Sequence, residues 1–136
     1  METKKKPQHR TYGLIGKNIS YSFSKEYFSK KFESENTKNT SYVNFDLTSV
    51  DKFPELFHST KAIHGLNVTI PYKETIIPYL DKVNSKAARI GAVNTIRITK
   101  KGKLKGYNTD EYGFRKTLLP LLEKHHKKAL ILGTGG

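Results

Sequence analysis

The sequence predicts an α/β fold: a mostly parallel open sheet flanked by helices, with a hairpin at its edge. Short apolar runs with strand-like alternation recur along the chain, and segments with apolar residues at helical spacing separate most of them. One Lys- and Gly-rich turn joins two strand-like stretches directly, which only antiparallel neighbours allow. Strands that alternate with helices instead pair in parallel, because the crossover returns the chain to the same end of the sheet.

The elements follow in order. Tyr12-Gly13-Leu14-Ile15-Gly16 is an apolar run closed by glycine and predicts a buried strand. After a loop over 17–22, Ser24 is placed to cap a helix that runs to about Asn36, with Glu26 in its first turn, Phe28 over Phe32, and Phe23 paired with Tyr27. Val43, Phe45 and Leu47 alternate as a second strand, and Phe53, Leu56 and Phe57 give 49–59 a helical spacing. Leu66, Val68 and Ile70 predict a third strand stopped by Pro71, which could open a helix to about Leu80. Ser85–Ile90 reads as a short capped helix and 92–99 as a strand, with the turn Lys100–Lys103 leading to a return strand at Leu104–Tyr107. Asp110 starts a longer helix that Pro120 should bend or shorten. Ala129–Leu132 is a last apolar run, entering Gly133-Thr134-Gly135-Gly136. The expected organisation is a basic flexible tail over 1–11, one domain over 12–108, a connecting helix over 109–128, and the first strand and Gly-rich turn of a truncated second domain over 129–136.

Composition narrows the function classes. The 136 residues include no Cys, so disulfide scaffolds and thiol catalysis are excluded. No stretch approaches the ~20 apolar residues of a membrane span, and Met1–Lys6 lacks the apolar segment of a secretion signal, so the cytoplasm is the default location. With 25 Lys+Arg against 12 Asp+Glu the formal charge is +13, which raises the question of nucleic acid. The lysines are dispersed, however, over the start of the chain, the 100–105 turn and 127–128, and no aromatics interleave them as a base-stacking platform would require. The histidines lie at no metal-ligand spacing, so no metal is expected.

The polar residues near strand ends carry the chemical argument. Ser22 and Ser24 offer two hydroxyls at a helix start, a suitable pair for a carboxylate, although Ser24 could be a cap and nothing more. Asn67 and Thr69 share one side of their strand by alternation, and Lys73 follows just beyond its carboxyl end, where open α/β sheets bind ligands. A lysine there is an ordinary solvated charge unless a carboxylate orients it, and Asp110, after the return strand, is the candidate. With Asn94 added, the set suits a small polyhydroxylated acid, whose hydroxyls both donate and accept. The terminal Gly-x-Gly-Gly (Gly133, Thr134, Gly135 and Gly136) has the form of half a dinucleotide-binding turn.

Five segments, Ser22-Phe23-Ser24, Asn67-Val68-Thr69-Ile70-Pro71-Tyr72-Lys73, Gly91-Ala92-Val93-Asn94-Thr95, Gly106-Tyr107-Asn108-Thr109-Asp110 and Gly133-Thr134-Gly135-Gly136, resemble in order and spacing the motifs of the shikimate dehydrogenase family. The resemblance implies an N-terminal substrate-binding domain cut off where the NADP-binding Rossmann domain begins. It implies that Ser22 and Ser24 hold the substrate carboxylate with Thr69 nearby, that Asn67, Asn94 and Asp110 bind ring hydroxyls, and that Lys73 and Asp110 form the catalytic pair. The implied reaction is the reversible NADPH-dependent reduction of 3-dehydroshikimate to shikimate in chorismate biosynthesis, with the fragment alone inactive. The cofactor would meet Gly133–Gly136 but be held mainly by the missing part.

Two departures from the family pattern stand out. The family's serine loop commonly reads His-Ser-x-Ser-Pro, whereas here Tyr21 stands for the His and Lys25 for the Pro, which leaves both hydroxyls in place. The absent second domain also removes the family's C-terminal substrate contacts. A sister specificity for quinate, and a non-catalytic module binding a small hydroxy acid, are the alternatives. No nucleic-acid or membrane partner is expected, and the sequence leaves monomer or homodimer open.

Overall fold

A computed structural model of the chain describes residues 8–133. The run around Tyr12 becomes the strand β1 (Arg10–Gly16), second from one edge of a six-stranded sheet. It begins before Tyr12 because the backbone N–H of Arg10 donates to Asn39 O and that of Thr11 to Ala62 O, both at 2.8 Å. Helix α1 (Ser24–Ser34) leads to β2 (Thr40–Asp46), and α2 (Leu56–Ser59) to β3 (Ile63–Val68). A two-residue strand β4 (Lys82–Val83) precedes α3 (Ser85–Ile90), β5 (Thr95–Ile98), β6 (Leu104–Tyr107) and α4 (Asp110–Leu118). The order across the sheet is β2-β1-β3-β5-β6-β4. The β1/β2, β1/β3 and β4/β6 pairs are parallel, while β3/β5 and β5/β6 are antiparallel.

Alternation sorts β1 between two cores. Leu14 joins Ile19 and Tyr42 beneath Phe28 and Phe32 of α1, with the Phe28 and Tyr42 rings stacked at 4.6 Å. Ile15 faces the larger core, with Phe45, Leu66, Val68 and Ile96 under Phe53, Ile76 and Ala87. Gly13 allows β1 and the edge strand β2 to meet: a Cβ there would stand 2.5 Å from Val43 O and 2.4 Å from the Phe45 ring. Nothing larger fits without separating β1 from β2.

Several expectations are corrected. The segment after Pro71 is not a helix to Leu80. It makes one α-type turn (Ile76 N to Tyr72 O, 2.9 Å) and then a 3₁₀ turn at Ile77–Tyr79, because Pro78 lacks the N–H a helix would use and Thr75-Ile76-Ile77 is β-branched. Pro54 likewise turns most of 49–59 into a 3₁₀ helix, Val50–Glu55. β3 ends at Val68, leaving Ile70 exposed, and β5 begins at Thr95 rather than Ala92. The hairpin lies one strand in from the edge, because Asp81 accepts from Leu104 N and from Lys103 Nζ, both at 2.8 Å, and lays β4 along β6. The α4 helix stops at Leu118 and a 3₁₀ turn carries Pro120. Ala129–Leu132 forms no strand: Leu130, Ile131 and Leu132 are exposed, and the run has no neighbouring strand among the described residues. No helix of the described residues is long and apolar enough to cross a membrane.

Candidate active site at one end of the sheet

Strand direction decides which residues meet. Because β1, β3 and β6 run one way and β5 the other, the carboxyl ends of β1, β3 and β6 share one end of the sheet with the amino end of β5. The loop with Ser22 and Ser24, the segment Thr69–Lys73, the pair Asn94-Thr95, and Asn108–Asp110 follow or precede those ends. Residues far apart in sequence therefore border one region.

At its centre, Lys73 Nζ lies 2.6 Å from Asp110 Oδ2, with the lysine side chain 20% exposed and the aspartate 51%. Asn94 holds the other carboxylate oxygen, its Nδ2 donating to Asp110 Oδ1 at 2.9 Å and to Thr109 Oγ1 at 2.7 Å. Its Oδ1 accepts from Thr109 N and from Thr95 Oγ1, each at 2.9 Å. The Asn94 amide, expected to meet a substrate hydroxyl, thus spends its bonds aiming Asp110, and a ligand would have to share one of them. Buried Asn94 is fixed by its backbone as well: Val68 N donates to its carbonyl at 2.8 Å and its own N–H donates to Tyr107 O at 3.0 Å.

The other predicted residues flank this centre without bonding to it. Thr69 N donates to Ile15 O at 2.8 Å, and Gly16 lets the serine loop approach, since a Cβ there would stand 2.4 Å from Ile19 and 2.6 Å from Thr69. Ser24 is the first helical residue rather than the cap, a place taken by Phe23 with no side-chain bond. Ser22 makes the local bonds instead: Ser24 N donates to its Oγ at 3.3 Å, and its own hydroxyl donates to Ser24 Oγ at 3.2 Å. The two hydroxyls are therefore already adjacent, as two donors to one carboxylate need to be.

Asn67 stands opposite Thr95 in the β3/β5 register. Its Oδ1 accepts from the Tyr42 hydroxyl at 2.8 Å, which commits the acceptor half of the amide and leaves Nδ2 as its donor. Burial holds the Tyr42 phenol neutral well above its ordinary range. That proton contributes stability below the unfolded phenol pKa of about 10 and loses it as pH rises beyond. Tyr42→Phe should therefore cost about 1–2 kcal/mol at neutral pH, and urea midpoints should fall less steeply above pH 10 than those of the parent. Parallel midpoint curves for the two proteins would overturn the assignment.

Asp46 and Tyr42 escaped the sequence reading as site residues. Asp46 takes Asn18 N at 2.8 Å and Ile19 N at 3.1 Å, pinning the start of the serine loop from the end of β2. Asp46 fell within the alternating run from Val43 to Leu47 only as a strand residue, Tyr42 lay just before it, and neither lies in a motif. Of the four glycine-turn residues, Gly133 alone is described, at a φ of 91°, while Thr134, Gly135 and Gly136 lie outside the described residues. One glycine does not hold a dinucleotide. Among the described residues no three His, Asp or Glu side chains group as a metal site would require.

Residues 14–96 match the family described as shikimate dehydrogenase substrate binding domain. A shikimate dehydrogenase (NADP(+)) of Clostridium botulinum is 43% identical over 128 residues, covering 93% of this chain and 49% of that protein. The structure of shikimate 5-dehydrogenase from Thermus thermophilus in complex with shikimate superposes with a TM-score of 0.70 at 34% identity, over 80% of this chain and 41% of that one. Quinate dehydrogenase from Corynebacterium glutamicum in complex with NAD gives a TM-score of 0.72 at 28% identity, over 85% and 44%. The chain spans about half the length of the curated relatives it matches.

Proposed function

Because the chain belongs to the shikimate dehydrogenase substrate-binding domain family, we propose that it is the substrate-binding part of an enzyme that reversibly reduces 3-dehydroshikimate to shikimate with NADPH. Residues 109–128 would connect it to a cofactor-binding part that starts near Ala129. The observation that carries the proposal is the 2.6 Å contact between Lys73 and Asp110, with Asn94 on the same carboxylate.

The hydride is the cofactor's contribution, and the residues described here manage charge and the proton. A carbonyl that receives hydride becomes an alkoxide. The Lys73 ammonium beside it stabilises that charge and supplies the proton to the oxygen, and Asp110 keeps the ammonium aimed while gripping a neighbouring hydroxyl. In the oxidative direction the same lysine takes the proton back. Ser22 and Ser24, with Thr69 close by, receive the substrate carboxylate, and the Asn67 amide donates to a ring hydroxyl. A quinate-specific enzyme is the second reading, favoured by the fold shared with quinate dehydrogenase, because one more substrate hydroxyl could enter a site of the same construction.

The test is calorimetric titration of the complete enzyme with shikimate and with quinate, alongside turnover on each. Shikimate should bind and support NADP reduction, and Ser22→Ala should weaken its binding about 10- to 100-fold, the scale of one hydrogen bond to a charged group. Turnover on quinate alone would select the second reading, and no binding of either acid at millimolar concentration would overturn both.

A further inference from the structure

We propose that Asn108 is a positioning residue: a buried amide that locks the backbones carrying Lys73, Asn94 and Asp110 into one unit, without touching substrate. The inference rests on the dehydrogenase proposal for its activity readout only. Asp110 is the first residue of α4, and α4 buries none of its residues. Within this chain packing therefore adds little to the placing of α4, although packing orients most helices in proteins. The side-chain hydrogen bonds that hold it within this chain gather at its N-terminus. The cap residue Thr109 makes no side-chain bond to the helix N–H groups. Asn108 does that work from one residue further out, its Oδ1 accepting from Glu111 N at 3.2 Å.

The other end of the same amide reaches across the site. Asn108 Nδ2 donates to Ala92 O at 3.1 Å, in a side chain whose residue is only 9% exposed. Ala92 leads directly into Val93, whose N–H donates to Lys73 O at 2.7 Å, and into Asn94, which binds Asp110. Asn108 thus ties 108–111 to Ala92 with both its donor and its acceptor, and the Val93 backbone carries that tie on to Lys73. Asn94 adds its bonds to Thr109 and Asp110, whereas the further tie to α4, Lys86 Nζ to Glu111 Oε2 at 3.0 Å, is between partly exposed side chains, where an ion pair fixes little.

The two halves of the amide are separable. Asn108→Asp keeps an acceptor for Glu111 N but sets an oxygen against the Ala92 carbonyl, so it preserves the helix cap and cuts the cross-link. Asn108→Ala removes both. In the complete enzyme we expect both variants to lose about 10- to 100-fold in kcat, the scale of a misplacement near 1 Å, while Asn108→Asp melts closer to the parent than Asn108→Ala does. Crystals of the Asp variant should show Lys73 Nζ moved out of hydrogen-bond reach of Asp110. Should Asn108→Ala fail to fold, the Asp variant carries the test alone. Parental kcat in Asn108→Asp, or an unmoved Lys73–Asp110 contact in its crystals, overturns the proposal. If the parent enzyme turns over neither acid, the dehydrogenase reading fails, and the crystallographic separation still decides the role of Asn108.

Discussion

Replacing Lys73 by alanine in the complete enzyme should lower kcat by about 10²–10⁴-fold and change KM for shikimate far less. The side chain is mostly shielded and its ammonium sits 2.6 Å from Asp110, so its charge is held in place rather than free in solvent. In the proposed reaction its removal would leave the developing alkoxide with no cation and no proton source, a loss felt in the transition state more than in the bound ground state. Arginine should not rescue the activity, because a guanidinium is a planar fork that does not release a proton near neutral pH. The fold should survive, since the link from this segment to the 92–94 loop runs through the backbone oxygen of Lys73, which alanine retains. Steady-state kinetics of the parent, Lys73→Ala and Lys73→Arg, with circular dichroism to confirm folding, decide the matter. Parental turnover in a folded alanine variant would end the assignment of Lys73 as the proton donor.

The sequence made that lysine visible for a physical reason. Alternation along 66–70 placed Asn67 and Thr69 on one side and sent Lys73 past a strand end, and strand ends are where a sheet of this kind leaves side chains free to meet a ligand. Asp110 was legible in the same way, at the end of a return strand. Five of the six strands were legible because period-2 burial is written in one-residue steps: Leu14 and Ile15 report opposite faces by themselves, whereas the two-residue β4 gave no signal and the apolar run expected as a strand at 129–132 forms none. What stayed hidden needed the third dimension. Two segments with apolar helical spacing, 49–59 and 71–80, carry Pro54 and Pro78, and only the backbone hydrogen bonds reveal that 3₁₀ turns replace most of the helix there. Asn94 looked like a ligand-binding amide, and only the positions of Thr95, Thr109 and Asp110 show how many of its bonds are already committed. Asp46 and Tyr42 support the site from behind with no local signature, because what defines them is a partner 25 or more positions away; Asn108 lies inside a motif, but its support shows only in its bond to a carbonyl on a different loop.

Phe53→Ala should destabilise the fold by about 3–5 kcal/mol, the cost of emptying an aromatic site in a packed core. The residue is 1% exposed and stands edge-on to Phe57 at 5.3 Å and to Tyr79 at 5.9 Å. It is held in the short 3₁₀ segment after β2, and Tyr79 belongs to the connector that continues from Lys73. The cavity therefore opens under the same chain segment that carries Lys73. Against a typical total of about 5–15 kcal/mol for a domain, such a loss is a large fraction, and the urea midpoint should fall accordingly, with Phe53→Leu losing markedly less. Binding offers a second handle on the same variant. If the folded site is what recognises shikimate, ligand at about 100 times its Kd should return close to 2.7 kcal/mol to parent and variant alike. A Phe53→Ala protein that unfolds at the parental midpoint would show that this ring is not a support of the core. A variant that unfolds early and gains nothing from saturating shikimate, while the parent does gain, would instead mean that the cavity has displaced the Lys73 segment, tying the packing behind the site to the chemistry in front of it.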